Sequence, residues 1–287
     1  MVRIVPLTVK GMHGYNRKVV ETAHMFVSII NDCHDGNAMG KQVTRAARLF
    51  PNASMATVGI EQDELEAAGN LIDILDASDG DYGVILVNVA PRQGRGKKWP
   101  NGTPFGYFSY KKTLIVSTIA EMSLSLVKKL GLADSLQLTD VPTVIDAMIE
   151  RGYLEKHLRN LIVKSQFRSY DYMPRLAKWV MDGVEVPSEP YSFTQVATAP
   201  KAIWWVDNFG NCKTTILPEE VGHEPGKVLM TKVGEVKCFE RLKDIPNDEV
   251  GLIIGSSGIG LKRFLELNIQ GKSAAAKFNL KPGTELF

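Results

Sequence analysis

Residues 203–211 end an apolar run in a carboxylate, an aromatic ring and a carboxamide: Asp207, Phe209 and Asn211. Ile203 to Val206 reads as a buried strand, and Asn208 and Gly210 supply the chain reversal that follows it. The three side chains then meet at one strand end. Such a set suits a polar heterocycle, with Phe209 for stacking and Asn211 for paired donor and acceptor contacts. Asp207 would take an amine or a hydroxyl. The plainer alternative is an Asx-rich hairpin turn.

Asp32 is the second group of interest. Residues 31–36 (Asn-Asp-Cys-His-Asp-Gly) follow the first strand of an α/β pattern, and open α/β sheets bind ligands beyond the carboxyl ends of their strands. A carboxylate there accepts both hydrogen bonds of a ribose diol. It serves equally well as the cap of a helix starting near Gly36. His34 and Asp35 are metal-ligating types, but no further His or Cys cluster accompanies them, so no metal is expected. The loop of residues 90–99 is the most basic stretch, with Arg92, Arg95, Lys97 and Lys98. It suits an anion, or a nucleic-acid backbone with Trp99 stacked on a base. A solvated surface loop has the same composition.

Strand and helix signals alternate around these groups. Residues 26–30 form a short apolar strand. Residues 39–50 have helical spacing through Val43, Ala46, Ala47 and Phe50, until Pro51 and Asn52 stop them. A strand at 53–60 precedes an amphipathic helix marked by Leu65, Ala68, Leu71, Ile72 and Leu75. Residues 83–89 are apolar enough for the middle of a sheet. A strand at 113–119 and a helix at 124–130 follow. This alternation predicts an N-terminal three-layer α/β domain with a mainly parallel sheet, residues 1–188. Pro187 to Pro190 breaks the pattern. Short strands separated by Gly and Pro turns then predict a smaller, β-barrel-like C-terminal domain, residues 195–287.

At 287 residues the chain is long enough for two domains with a substantial core. Apolar residues make up 44% and charged residues 23%, as in ordinary soluble proteins. The net charge of +2 does not argue for nucleic acid. Cys33, Cys212 and Cys238 are odd in number and in no metal-ligand spacing, which points to a reduced, cytoplasmic protein. No signal-peptide core and no run approaching about 18 apolar residues is present, so no membrane association is expected.

Gly255-Ser256-Ser257-Gly258, then Leu265-Glu266-Leu267, then Ser273-Ala274-Ala275 follow the Asp207 to Asn211 segment in order. This series resembles the C-terminal domain of the S-adenosylmethionine (SAM) hydroxide adenosyltransferases, a family that includes the fluorinating and chlorinating enzymes. By that resemblance residues 261–269 are a strand. Their spacing alone also fits a helix, although no Gly-Lys-Ser/Thr follows the glycines to make a phosphate loop.

The resemblance implies SAM held as substrate between domains, with no separate cofactor. Asp32 would hold the ribose, and Phe50-Pro51-Asn52-Ala53 resembles the family's Asn-Pro-x-Ala. Phe209 and Asn211 would lie at the adenine, and Asp207 with Ser256 or Ser257 at the methionine end or base edge. Residues 165–174 loosely resemble a further motif from which Arg168 or Ser169 would reach the methionine carboxylate, with Phe167 where the family has His. The hydrolytic members position water with an Asp and an Arg. Here Ala90 stands in place of that Asp and Lys97 or Lys98 falls near the Arg, leaving Gln93 and Lys97 as the candidate catalytic groups. The implied reaction is hydrolysis of SAM to adenosine and methionine. A halide nucleophile, or SAM or adenosine binding without turnover, is the alternative. The family also implies a homotrimer with sites between subunits.

Overall fold

A computed structural model of the chain describes residues 24–61, 64–90 and 102–287. The N-terminal part runs β1 (Met25–Asn31), α1 (Gly36–Leu49), β2 (Ala53–Gly59), α2 (Glu64–Ala77), β3 (Gly83–Asn88), β4 (Phe105–Tyr110) and β5 (Thr113–Thr118). It continues through α3 (Ser125–Leu130), β6 (Ser135–Thr139), α4 (Val141–Glu150), α5 (Arg159–Val163), α6 (Arg168–Asp171), α7 (Met173–Met181) and β7 (Glu189–Ser192). The strands form one sheet in the order β2-β1-β3-β5-β4-β6-β7. β2, β1, β3 and β5 pair in parallel, whereas β4, β6 and β7 join by antiparallel pairing. The sheet is therefore parallel on the side that carries Asp32 and antiparallel at the other.

Alternation along β1 makes the three layers. Ile30 faces a core that includes Leu65, Leu71, Ile72 and Leu75 of α2 and Leu126 of α3. Val27 and Ile29 face the opposite core, with Ala46 of α1, Val144 of α4 and Leu176 of α7. β3 has both faces covered, and all six of its residues are buried.

The C-terminal part contains β8 (Ile203–Val206), β9 (Cys212–Thr214), β10 (Val228–Thr231), β11 (Gly234–Cys238), β12 (Val250–Ile259), β13 (Lys262–Ile269) and α8 (Ala274–Phe278). Its sheet has the order β10-β11-β12-β13-β9-β8. The end of the chain ties the two edges together. Leu286 donates its N–H to the Lys201 carbonyl at 2.8 Å and accepts the Lys232 N–H at 2.8 Å. That closure gives the sheet its barrel-like form.

Residues 262–269 are strand, as the motif resemblance implies, and pair with β12, while Leu261 lies in the turn before them. Gly255 to Gly258 lies inside β12 as an irregularity in this pairing, so it is neither a phosphate loop nor a turn before a helix. Gly258 has φ +135°, and a Cβ there would stand 2.2 Å from the Lys262 carbonyl oxygen. Only glycine fits that bulge.

Helix α2 joins the two parts. Trp204 lies on Gly69, where a Cβ would meet the indole ring at 2.1 Å. Asp73 accepts hydrogen bonds from Lys213 Nζ at 3.1 Å and Ser257 Oγ at 2.9 Å. Asp76 takes Arg263 Nη1 at 2.6 Å and Nη2 at 3.1 Å. Packing and paired charges together fix the joint.

Candidate functional site

The first half of the site stands at the carboxyl ends of β1 and β3. Asp32 Oδ2 accepts the Ala90 N–H at 2.8 Å, and Oδ1 accepts Asn88 Nδ2 at 3.2 Å. The alternative role of helix cap falls to another residue. Asp35 caps α1, accepting the N–H groups of Asn37 at 3.0 Å and Ala38 at 3.1 Å. The Asp32 carboxylate is thus directed across the strand ends.

A buried amide network lies beneath it. Asn31 Oδ1 accepts Asn88 Nδ2 at 3.0 Å and the Cys33 N–H at 2.8 Å. Asn31 Nδ2 donates to Gln42 Oε1, and Gln42 Nε2 donates to the Cys33 carbonyl at 3.1 Å. Asn31 and Gln42 are almost wholly enclosed, so their polar groups must be paired, and the pairing locks the 31–33 turn. Sequence reasoning does not find this network. Its one visible signal is Asn88, an amide at the end of an otherwise apolar strand.

Beside Asp32 is a cavity of about 80 Å³, lined by Cys33, Asn88, Ala90, Thr103 and Arg168 among others. The Arg168 guanidinium lies 5.6 Å over the Phe105 ring, and burial holds its pKa below the ordinary arginine value. The Thr103 hydroxyl is buried without a hydrogen-bond partner. Ser169 is also buried and lines this cavity. The cavity is far smaller than a nucleoside site. It can take one edge of a ligand lying across the strand ends. Gln93 and Lys97 lie outside the described residues, in the segment that begins directly after Ala90.

The second half is built on the turn after β8. Asp207 Oδ1 accepts the N–H groups of Phe209 at 2.8 Å and Asn211 at 2.9 Å, and Oδ2 accepts Asn211 Nδ2 at 2.9 Å. These bonds form the Asx turn. Asp207 is occupied in closing the turn and holding Asn211, so its carboxylate serves as the frame. Phe209 is left 71% exposed, its ring free to stack.

Gly210, with φ +82°, lets Ser273 approach so closely that a Cβ would overlap its hydroxyl. Ser273 in turn caps α8 through the Ala276 N–H at 2.9 Å. A cleft of about 470 Å³ opens here, lined by Phe209, Asn211, Leu242, Gln270, Lys272 and Ser273 among others. That volume is ample for a purine.

The two clefts share no lining residue, and each belongs to its own domain. Ser257 lies in neither. It is buried and bonded to Asp73, so it serves the joint between the domains. Ser256 gives its carbonyl to Arg263 Nη1 at 2.9 Å. The Gly-Ser-Ser-Gly segment thus shapes the seam, because the bulge turns Ser257 toward α2. His34 Nε2 stands 3.9 Å from the Glu61 carboxylate. Among the described residues no group of three or more His, Cys, Asp and Glu residues is arranged to hold a metal ion. None of the three cysteines is in a disulfide, and burial pushes the Cys212 thiol up to about 12. Among the described residues no helix is long and apolar enough to cross a membrane.

Residues 201–287 match the family model described as SAM hydroxide adenosyltransferase C-terminal domain. The C-terminal domain is therefore similar to that family's, in line with the resemblance of its ordered motifs. No curated protein matches the chain. Two crystal structures share the fold of nearly the whole chain. An uncharacterized conserved protein from Thermotoga maritima is 16% identical with a TM-score of 0.65, over 91% of this chain and 98% of that one. A conserved hypothetical protein from Thermus thermophilus is 17% identical with a TM-score of 0.60, over 92% of this chain and 100% of that one. At such identities the likeness is one of fold alone.

Proposed function

We propose that this chain hydrolyses SAM to adenosine and methionine by displacement at ribose C5′. The observation that carries this reading is the family match over residues 201–287, in the domain whose exposed Phe209 and fixed Asn211 border a cleft of purine size. Its SAM-related adenosyl chemistry is the family's, and water as nucleophile is our assignment.

In this reading Phe209 stacks on the adenine. Asn211 spends one Nδ2 hydrogen on Asp207 and keeps the other, with Oδ1, for the adenine edge. Asp32, its carboxylate oriented by Ala90 and Asn88, receives the ribose hydroxyls. Arg168, in the cavity beside Asp32, faces the carboxylate of the methionine half.

A water oxygen forms the bond to C5′ while the C5′–S bond breaks. Its electron pair goes to sulfur, neutralising the sulfonium as methionine leaves, and the water proton passes to solvent. The sulfonium is already a good leaving group, so the protein chiefly aligns the water and removes its hydration. Gln93 and Lys97 are the groups assigned to hold that water. Because the ribose and adenine halves belong to separate clefts, we assign the complete site to two subunits of a homotrimer.

Mass spectrometry of small molecules released on denaturing the purified protein tests the ligand. Adenosine or SAM is the expected release after incubation with SAM. A protein that takes up neither from millimolar SAM would remove the basis of the proposal.

A further inference from the structure

Another concave surface shares no lining residue with the Asp32 cavity and is lined by cations. It is an open cleft of about 540 Å³ between α1 and α6, bordered by Lys41, Thr44, Arg45, Arg48 and Tyr170. Lys41, Thr44 or Arg45, and Arg48 recur at helical spacing, so one face of α1 presents all the charges. Gly36 and Gly40 also line it and leave the helix surface open, with nothing within 4 Å of where their Cβ atoms would be.

These cations are held by packing. Arg45 lies 4.2 Å over the Tyr170 ring and donates from Nη2 to its hydroxyl at 2.7 Å. Lys41 Nζ sits 4.7 Å from the same ring. Among the described residues Asp171 is the acid set against them, and its carboxylate already accepts the Ser165 hydroxyl at 2.6 Å. Arg45 Nη1 is 3.8 Å from that carboxylate, beyond hydrogen-bond reach, and is buried with no hydrogen-bond partner. Burial, with repulsion from Arg45 and Arg48, pushes Arg175 on α7 down to about 10. Arg45 and Arg175 therefore share Asp171, and Arg48 is close enough to repel Arg175. The side-chain entropy of fixing Arg45 is already spent, which favours binding of an anion.

We infer that this cleft binds an oligophosphate chain, free or as the tail of a nucleotide, at a site separate from the adenosyl site. Several phosphates in a row match cations spread along two turns of α1, and guanidinium groups pair with phosphate oxygens through two parallel bonds. A single small anion would meet only one or two of them.

Calorimetry with sodium tripolyphosphate, in magnesium-free buffer at fixed ionic strength, tests the inference. The whole chain should bind it saturably and more tightly than orthophosphate. Lys41→Gln and Arg48→Gln, both at exposed helix positions, should each weaken binding by about tenfold or more. Equal affinity for tripolyphosphate and ATP supports a free chain as ligand, and tighter ATP binding supports a nucleotide tail. Absence of saturation at millimolar tripolyphosphate overturns the inference. So does binding by both variants as tight as that of the parent chain, or a variant that lowers the mass of the assembly while leaving tripolyphosphate affinity intact, which would assign the cations to a subunit contact. SAM binding should be unchanged in both variants, so this site and the adenosyl reading fail or stand separately.

Discussion

Asp32 Oδ2 and the backbone N–H of Ala90 are joined by a hydrogen bond of 2.8 Å. The acid proposed to hold the ribose is therefore in contact with the residue that, by the sequence resemblance, stands where hydrolytic members carry a water-positioning acid. Alanine offers that position no polar side chain. In the proposed reaction that task falls to Gln93 and Lys97, in the segment after Ala90.

This contact makes Ala90→Asp informative. A carboxylate introduced beside Asp32 would feel a like charge, which raises the pKa of one of the pair and equips it to take a proton from water. General-base assistance is worth about 100-fold or more, so adenosine formation should rise by that order, provided Lys97 supplies the cation. Chromatographic rates for the two proteins decide it. A variant that folds, binds SAM and forms adenosine no faster would count against Ala90 as the missing acid.

Ligand affinity should depend on both halves of the site. Asp32→Ala and Asn211→Ala should each weaken SAM or adenosine binding by about 1–3 kcal/mol, the scale of a buried partner left alone. Calorimetry that finds both affinities unchanged would remove the proposed site.

Assembly offers an independent check. The clefts proposed for ribose and adenine are on different domains and share no lining residue, and a site completed between subunits would answer that separation. Light scattering should give the mass of a homotrimer at micromolar concentration. A monomer mass would require one chain to complete the site alone.

Glu266 supplies a test through pH. Burial raises its carboxyl above the ordinary glutamate value, against the opposing pull of Lys213, and the nearby Asp207 charge adds to the rise. A raised folded-state pKa means that the stabilising contribution is present below the unfolded value and lost as pH climbs through the folded one. Glu266→Gln should therefore gain stability relative to the parent at neutral pH and lose that advantage in acid. Urea denaturation at both pH values measures the difference, and an advantage independent of pH would show that ionisation is not its source.

The central strands were legible because a doubly buried strand must be a continuous apolar run, as in β3. β4 was not. Its Phe105, Tyr107 and Phe108 are strand formers, but only pairing with β5 and β6 turns them into a sheet. Pro190 looked like a breaker and sits instead in β7, where an edge strand tolerates its missing donor.

At the site, two aspartates three residues apart are equally able to cap a helix, and only the geometry separates Asp35 from Asp32. Asp207 was read as a ligand contact because spacing shows which groups gather, not which already satisfy one another. The place of Ser257 is hidden for a related reason: the bulge that turns it toward Asp73 depends on the close approach of Gly258 to Lys262, a contact across strands.

The most direct measurement of the adenosyl chemistry is the fate of the oxygen. SAM should be incubated with the protein in water enriched in heavy oxygen, and the products separated and weighed by mass spectrometry. The account predicts adenosine and methionine in equal amounts, with the heavy oxygen on the adenosine 5′ carbon. Bound SAM recovered intact with no adenosine, or adenosine whose 5′ oxygen does not come from water, would contradict it.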